Sequence, residues 1–493
     1  MGSRIASSQG PASKPWRFEL VLDQRGVPRR TQLSRALIQE VQRGRLLPGA
    51  LLPGSRTLAT QLKVNRKVVV AAMEELCAQG WLEALPARGM RVAEHLPMLA
   101  VADAEGLRRA PVPPKPRPSE LPSSIIDDGA PDTRIAPTDE LARAHRRALR
   151  ALSRGGLGYA DPAGDPVLRE VLSSFVNQAR GLSCTPGQVV LTRGSQGALS
   201  LYALAMLGAG DVVAVESPGY TPAWRAFELA GAEVIHIPVD ESGLDTAALE
   251  ARARALRGRL KAAYVTPHHQ YPTSVSLSAE RRMHLQQIAE RFDLTIIEDD
   301  YDYEYHFDGA PLLPLSAAPR SAHRCVYVAS LSKLLAPAIR LGYIVASEPV
   351  VARLRQARDV LDRQGDVVLE RAISELFEDG VIQRHARRAR RLYRARRDHL
   401  LGQLQTRAAL ARAFECSVPS GGLALWLRLR RGAVEPMAWR ARGLGVHITP
   451  GSAHLHQGHV AAFRFGFAAY TPDELSQICD VLAATCSPTP ATR

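Results

Sequence analysis

Thr295-Ile296-Ile297-Glu298-Asp299-Asp300-Tyr301 is an apolar run that ends in acids and an aromatic ring. Lys333 follows 34 positions after Asp299, inside Ser330-Leu331-Ser332-Lys333-Leu334-Leu335-Ala336-Pro337-Ala338-Ile339-Arg340-Leu341-Gly342-Tyr343. The first stretch reads as a buried strand. Similar runs recur at Val189 to Thr192, Val212 to Glu216, Glu233 to Ile237, Ala262 to Thr266, Cys325 to Ala329 and Tyr343 to Ala346. Amphipathic segments separate them, which predicts an α/β domain with a mostly parallel sheet and helices on both faces. After an Arg-rich helix predicted from Ala386 to Leu400, Gly422 to Leu429 and the strand Ala462 to Phe467 predict a smaller α+β subdomain.

The chemistry comes from the order of residues at the strand ends. A lysine that forms a Schiff base must give up its proton, and a pyridine cofactor withdraws electrons only when a carboxylate keeps its ring nitrogen protonated. Lys333 and Asp299 suit those tasks, and together they read as a pyridoxal phosphate site. Thr192-Arg193-Gly194-Ser195-Gln196-Gly197-Ala198-Leu199 follows a predicted strand and opens a helix, where backbone N–H groups and the helix dipole favour a phosphate. Ser195 and Gln196 add side-chain donors. Ser330, Ser332 and Arg340 supply two hydroxyls and a planar cation around Lys333. Ligands of such sheets collect at the carboxyl ends of strands, where all of these residues fall.

The first 100 residues have a different character, with 15 Lys and Arg against 7 Asp and Glu in a chain of net charge +14. A concentrated positive end suggests a polyanion partner. Leu33, Leu37, Ile38 and Val41 fall at helical spacing between Thr31 and Arg43, and Leu46-Leu47-Pro48-Gly49 breaks that helix. Ser55 is placed to cap a second helix through Leu62, and a third runs from Arg66 to Gln79 on the apolar face Val69, Met73 and Leu76. Such a triplet with a tight second turn is a helix-turn-helix. Trp81 to Leu85 and Met90 to Val92, around Pro86-Ala87-Arg88-Gly89, predict a wing hairpin. Asn65, Arg66 and Lys67 stand at the start of the third helix, where a DNA reader needs cations and polar side chains.

Ala110-Pro111-Val112-Pro113-Pro114-Lys115-Pro116-Arg117-Pro118 suits neither helix nor central strand and reads as a semi-extended linker. The expected organisation is a loose tail at 1–15, a winged helix at 16–93, a linker at 94–124, a cofactor domain at 125–485 and a tail at 486–493. Within the cofactor domain, the large subdomain is expected at about 150–380 and the small one at about 381–485. Six scattered cysteines without a Cys-x-x-Cys pair indicate neither zinc nor a disulfide framework. No apolar run reaches about 18 residues, so a cytoplasmic protein with no membrane span is expected.

The whole of residues 16 to 480 resembles the MocR/GabR class of bacterial regulators, a GntR-type winged helix fused to a fold-type I aminotransferase-like domain. The matching words include Leu52-Pro53-Gly54-Ser55-Arg56-Thr57-Leu58-Ala59, Gly80-Trp81-Leu82, Tyr159-Ala160-Asp161-Pro162-Ala163-Gly164, Ser217-Pro218-Gly219-Tyr220, Val265 to Thr273, Ile297 to Tyr305, Ser330 to Tyr343 and Arg464-Phe465-Gly466-Phe467. The resemblance implies that Lys333 carries the cofactor, Asp299 meets the pyridine nitrogen, Tyr301 the phenolic oxygen, and Tyr220 stacks on the ring. It implies Gly194, Ser195, Gln196, Ser330, Ser332 and Arg340 on the phosphate, joined by Tyr159 from a partner subunit in a head-to-tail homodimer with exchanged winged helices. Arg464 matches an arginine that pairs with an amino acid's carboxylate, and Arg56, Arg66 and the wing tip Arg88-Gly89 match contacts to double-stranded DNA.

Three positions, Tyr271, Ser274 and His268, depart from the pattern. Tyr271-Pro272-Thr273-Ser274 stands where such enzymes often have Asn-Pro-Thr-Gly, and His268 stands where a serine is common. The implied function is a transcription regulator that senses a small amine or amino acid through an external aldimine, or senses the cofactor itself. A working aminotransferase carrying a DNA-binding domain is the alternative. The Arg-rich run Arg384 to Arg397 is expected to serve structure rather than DNA.

Overall fold

The computed structural model describes residues 20, 22, 27–85, 89–94, 96, 124–126, 129–309, 312–319 and 322–486. The chain divides into two compact units, Met1–Pro116 and Arg117–Arg493.

In the first unit, helices α1 (Arg29–Gln42), α2 (Ser55–Leu62) and α3 (Arg66–Ala78) bury Leu33, Leu37, Leu58, Val69, Met73 and Leu76 in one core. Lys63 ends α2 in the left-handed region (φ 51°), and Asn65 starts α3 by accepting the Lys67 N–H on Oδ1 at 2.9 Å. That turn makes the helix-turn-helix tight. Ser55 was expected to cap α2, but the cap is Gly54 and Ser55 is the first helical residue. Its hydroxyl instead accepts Arg66 Nε at 3.3 Å, tying the two helices together. Strands β1 (Leu82–Leu85) and β2 (Gly89–Val92) pair antiparallel, Leu82 opposite Val92 and Leu85 opposite Gly89, and close the wing. Its tip, with Arg88, lies outside the described residues, whereas Gly89 opens β2 at φ +99°.

The second unit contains β3 (Ser124–Ile125), β4 (Val189–Thr192), β5 (Val212–Ser217), β6 (Glu233–Asp240), β7 (Gly243–Leu244), β8 (Leu260–Val265), β9 (Thr295–Asp299), β10 (Cys325–Ser330) and β11 (Gly342–Val345). Farther on come β12 (Phe414–Glu415), β13 (Ala424–Leu429), β14 (Val446–His447) and β15 (Ala462–Gly466). Eight strands form the large sheet in the order β4-β11-β10-β9-β8-β5-β6-β7. β10, β9, β8, β5 and β6 run parallel, while β11 is antiparallel to both β10 and β4. The central strands are buried along nearly their whole length, as a sheet covered on two faces requires. Register brings Val328 opposite Asp299, Ser330 opposite Gly342 and Gly342 opposite Thr192. The ends of β4, β9 and β10 therefore meet at one edge of the sheet.

β12, β13 and β15 form the smaller sheet, and β14 pairs parallel with β3. Ile126 lies in the small subdomain's core and Ile135 packs against it, so the segment entering the second unit belongs with that subdomain. The helix Val381–Thr406 joins the two subdomains: Ile382 packs in the large core, and Ala389, Tyr393 and Leu400 in the small one. Its arginine run splits by face. Arg396 and Arg397 are buried and paired with Asp132 and Asp308, at 2.8 and 2.6 Å, whereas Arg384, Arg387, Arg388, Arg390, Arg391 and Arg394 are exposed. Among the described residues no helix is long and apolar enough to cross a membrane.

Candidate cofactor site

A cavity at the meeting edge is lined by Ser195, Tyr220, Asp299, Tyr301, Ser330, Ser332 and Lys333, all expected from the sequence, together with Tyr264, Thr266 and Tyr271. Asp299 ends β9 and is buried. Its Oδ2 accepts the Tyr264 hydroxyl at 2.9 Å, and its Oδ1 has no hydrogen-bond partner among the described residues. Burial pushes this carboxyl up to about 7, and Asp300 and Asp302 add to the rise, against the Tyr264 hydrogen bond. A buried carboxylate oxygen without a donor costs free energy unless a donor arrives. Lys333 follows β10 and reaches toward the same space, its Nζ donating to the Gly129 carbonyl at 3.0 Å.

The hydroxyls and Arg340 gather at the other end. Ser330 Oγ accepts the Ser332 N–H at 3.1 Å, and Ser332 Oγ is buried with no partner among the described residues. Arg340 donates through Nη2 to the Arg193 carbonyl at 2.9 Å. A Cβ on Gly342 would sit 2.9 Å from Gly194 Cα, and one on Gly194 would sit 3.2 Å from the Arg340 guanidinium. With Gly194 at φ +70°, side chains at these two positions would close the cradle. Gln196 turns away to donate to the Pro222 carbonyl at 3.0 Å, and is absent from the cavity lining.

Aromatic rings and Arg464 form the rim. Tyr220 and Tyr271 meet edge to face with centroids 5.2 Å apart, and the Arg464 guanidinium lies 5.0 Å from the Tyr271 ring centre. Tyr301 donates its hydroxyl to the His269 carbonyl at 2.8 Å and accepts Arg464 Nη2 at 3.5 Å. Arg464 is buried on β15, its Nη1 donating to the Pro272 carbonyl at 2.7 Å and Ser274 Oγ at 3.0 Å. Tyr159 stands apart, 84% exposed, with Arg363 over its ring at 4.7 Å.

A second charged layer supports the first. Asp300 accepts the Tyr327 hydroxyl at 2.6 Å and faces His268 at 3.2 Å, with Arg180 at 3.9 Å. Burial alone would raise the Asp300 carboxyl, but His268, Arg180 and Tyr327 outweigh it and hold it down to about 2. His268 is raised in turn: burial lowers it, and Asp300 more than compensates. Glu216, at the end of β5, is pushed up to about 7 by burial while Thr266 Oγ1 donates to it at 2.6 Å. Tyr264 was missed by sequence reasoning because a tyrosine inside an apolar strand reads as core; its one signal is its place two residues before Thr266 at a strand end.

In the first unit, Arg56, Asn65, Arg66 and Lys67 are all exposed. Asn65 spends its Oδ1 on the α3 cap, and Arg66 leans on Ser55. Among the described residues none of the three cations meets a carboxylate.

Residues 128–482 match the family model for aminotransferases of class I and II, and residues 29–92 that for bacterial regulatory proteins of the gntR family. The chain is 30% identical over 472 residues to a probable rhizopine catabolism regulatory protein, MocR, of Rhizobium meliloti, covering 93% of this chain and 94% of that one. It is 34% identical over 368 residues to the pyridoxine biosynthesis transcriptional regulator PdxR of Corynebacterium glutamicum, covering 74% and 77% of the two chains. Among solved structures it is similar to the α-aminoadipate aminotransferase LysN of Thermus thermophilus, complexed with N-(5'-phosphopyridoxyl)-L-leucine. There the TM-score is 0.67 at 28% identity, over 73% of this chain and 91% of that one. The chain thus belongs to the MocR-type transcriptional regulators, in which a gntR-family DNA-binding domain is joined to a class I and II aminotransferase domain.

Proposed function

We propose that the second unit binds pyridoxal 5'-phosphate, that a small amine or amino acid is sensed through it, and that the ligand changes how the first unit holds double-stranded operator DNA. The observation that carries this is the buried Asp299 Oδ1, which has no partner among the described residues in a cavity that also receives Lys333. When bound, the cofactor supplies an electrophilic carbon open to attack by a primary amine. Asp299, held by Tyr264, would accept the ring N–H, a donor that favours the ionised carboxylate which burial disfavours. Tyr220 and Tyr301, which line the cavity, would cover the ring and meet its phenolic oxygen respectively. Gly194, Ser195, Ser330, Ser332 and Arg340 would hold the phosphate, with Gln196 offering only its first-turn backbone N–H because its side chain is turned to Pro222, and the Ser332 hydroxyl would gain a partner it lacks among the described residues. Lys333, whose Nζ lies beside the Gly129 carbonyl, would carry the cofactor and would be the nearest amine able to hold or move a proton there. Arg464 pairs with the ligand's carboxylate.

The exposed Tyr159 fits a residue that serves a neighbouring copy's phosphate, so the working form is a cytoplasmic homodimer. Pairing a ligand at Arg464 favours one arrangement of the large and small subdomains over another, which is how binding becomes a signal. A second reading takes the cofactor itself as the effector, favoured by the relative named for pyridoxine biosynthesis. The test is borohydride reduction of the cofactor-loaded protein with peptide mapping, followed by binding to DNA selected from random sequence by the purified protein. Label on Lys333 and an affinity that shifts on adding an amine support the proposal. Label on another lysine defeats the site, and a response to cofactor without any amine moves the conclusion to the second reading. Sustained multiple-turnover transamination with no effect on DNA would make the protein an enzyme instead.

A further inference from the structure

Ser274 occupies a backbone position that should belong to glycine. Its φ is +62°, a left-handed conformation that a residue with a Cβ adopts at a steric cost. It is also buried. A serine kept there has a task for its hydroxyl, and the hydroxyl makes two hydrogen bonds that leave its own subdomain. Ser274 Oγ donates to the Ala424 carbonyl on β13 at 3.2 Å and accepts Arg464 Nη1 on β15 at 3.0 Å. The adjoining Pro272 carbonyl accepts the same Nη1 at 2.7 Å. The loop that follows β8 in the large sheet thus grips β13 and β15 of the small sheet, at the residue assigned to the ligand's carboxylate. Tyr271, three residues earlier, presents its ring to the same guanidinium at 5.0 Å. On the far side, a Cβ on Gly129 would lie 3.2 Å from Arg464 Nη2, and the Gly129 carbonyl accepts Lys333 Nζ.

We propose that Ser274 is a positioning residue: it aims Arg464 at a ligand carboxylate and pins the large and small subdomains together at that point. With Nη1 fixed by Ser274 and Pro272, the guanidinium is held in one orientation before a ligand arrives, which removes much of the ordering cost of a charge-assisted contact. The pin also makes the response selective. A ligand without a carboxylate leaves the Arg464–Ser274 contact as it is, whereas one with a carboxylate draws on the same guanidinium and so acts on the joint between subdomains. This rests on the assignment of Arg464 as the carboxylate partner.

The test compares L-alanine with ethylamine, its counterpart without the carboxylate, by titrating the visible spectrum of the cofactor-loaded protein. The wild-type protein should prefer L-alanine. Ser274→Ala and Ser274→Gly should both reduce that preference, by about tenfold, with little change for ethylamine. The glycine variant relieves the strained backbone, so it folds even if the alanine variant does not. A second measurement needs no cofactor: hydrogen exchange of residues 270–276 in the cofactor-free protein should be faster in Ser274→Ala, because the loop has lost its hold on Ala424 and Arg464. If either variant keeps the wild-type preference, or exchange is unchanged, Ser274 has no such role even though Arg464 stands. If the wild-type protein shows no preference for L-alanine, the Arg464 assignment itself fails and this inference goes with it.

Discussion

Two groups of cations, one in each unit, are held in opposite ways. In the first, Arg56 in the first turn of α2 and Arg66 and Lys67 at the start of α3 are exposed, and among the described residues they face no carboxylate. In the second, Arg180, Arg396, Arg397 and Arg464 are buried, three of them paired with acids and Arg464 held by Pro272 and Ser274. A cation meant for an outside polyanion gains by staying hydrated until the partner displaces its counterions. A buried cation must be satisfied at once, because desolvation without a partner costs several kcal/mol. The contrast divides the molecule into a surface that waits and an interior already committed, and each prediction below attacks one side of that division.

The largest effect is expected at Lys333. Lys333→Ala should abolish borohydride-fixed incorporation of pyridoxal phosphate while leaving affinity for DNA in the absence of effector unchanged, as measured by mass spectrometry and gel shift. Equal loss of both would mean that the two units do not work as separate surfaces. Next comes the buried acid layer. Asp300→Asn keeps the shape but leaves His268 without its charge partner and Arg180 with Glu304 alone, and should destabilise the second unit by about 3–5 kcal/mol in denaturant unfolding. The first unit's own transition should not move.

How much of this could be read from the chain depends on the distance over which each feature is decided. The strands of the large sheet and the three helices of the first unit are local patterns, visible as apolar runs and helical spacing. Lys333, Asp299 and the hydroxyls around them are legible because their order along the chain follows the order of strand ends. The engagement of Arg464 by Pro272 and Ser274 is not, since it joins residues some 190 positions apart. Nor does the run Arg384 to Arg397 announce which arginines turn inward; that is set by Asp132 and Asp308 on distant segments. His268, an unexplained departure in sequence, becomes the partner of Asp300.

The pH dependence sharpens the contrast within the second unit. Asp299 and Glu216 are both raised to about 7 in the folded chain, mainly by burial. The native state then keeps protons that the unfolded chain has lost, so the stability these groups provide is present below about pH 4 and is lost as pH rises to about 7. Asp300, held down to about 2, acts the other way, adding stability above about pH 4 that is lost as pH falls toward 2. Cofactor-free protein should therefore lose several kcal/mol between pH 4 and 7. Asp299→Asn should flatten part of that slope in unfolding experiments, and adding pyridoxal phosphate should reduce it by supplying a donor to the ionised carboxylate. A slope that Asp299→Asn leaves intact would place the protons elsewhere.

The smallest effect concerns the waiting surface, and it distinguishes two uses of one exposed cation. Arg66 begins α3 and its Nε rests on Ser55, so its remaining donors are directed by the junction of the two helices. Asn65 beside it commits its carbonyl oxygen to the cap, which leaves Arg66 and Lys67 as the cations at the start of α3. If Arg66 touches only phosphate, Arg66→Ala should weaken binding to all sequences alike and reduce the slope of log K against log salt by about one. If it reads a guanine, discrimination at one base pair should relax by roughly 1 to 3 kcal/mol with a smaller change on unrelated DNA. The cofactor spectrum should be unaltered in either case. A loss of cofactor from this variant would contradict the independence of the two units more directly than any change in affinity.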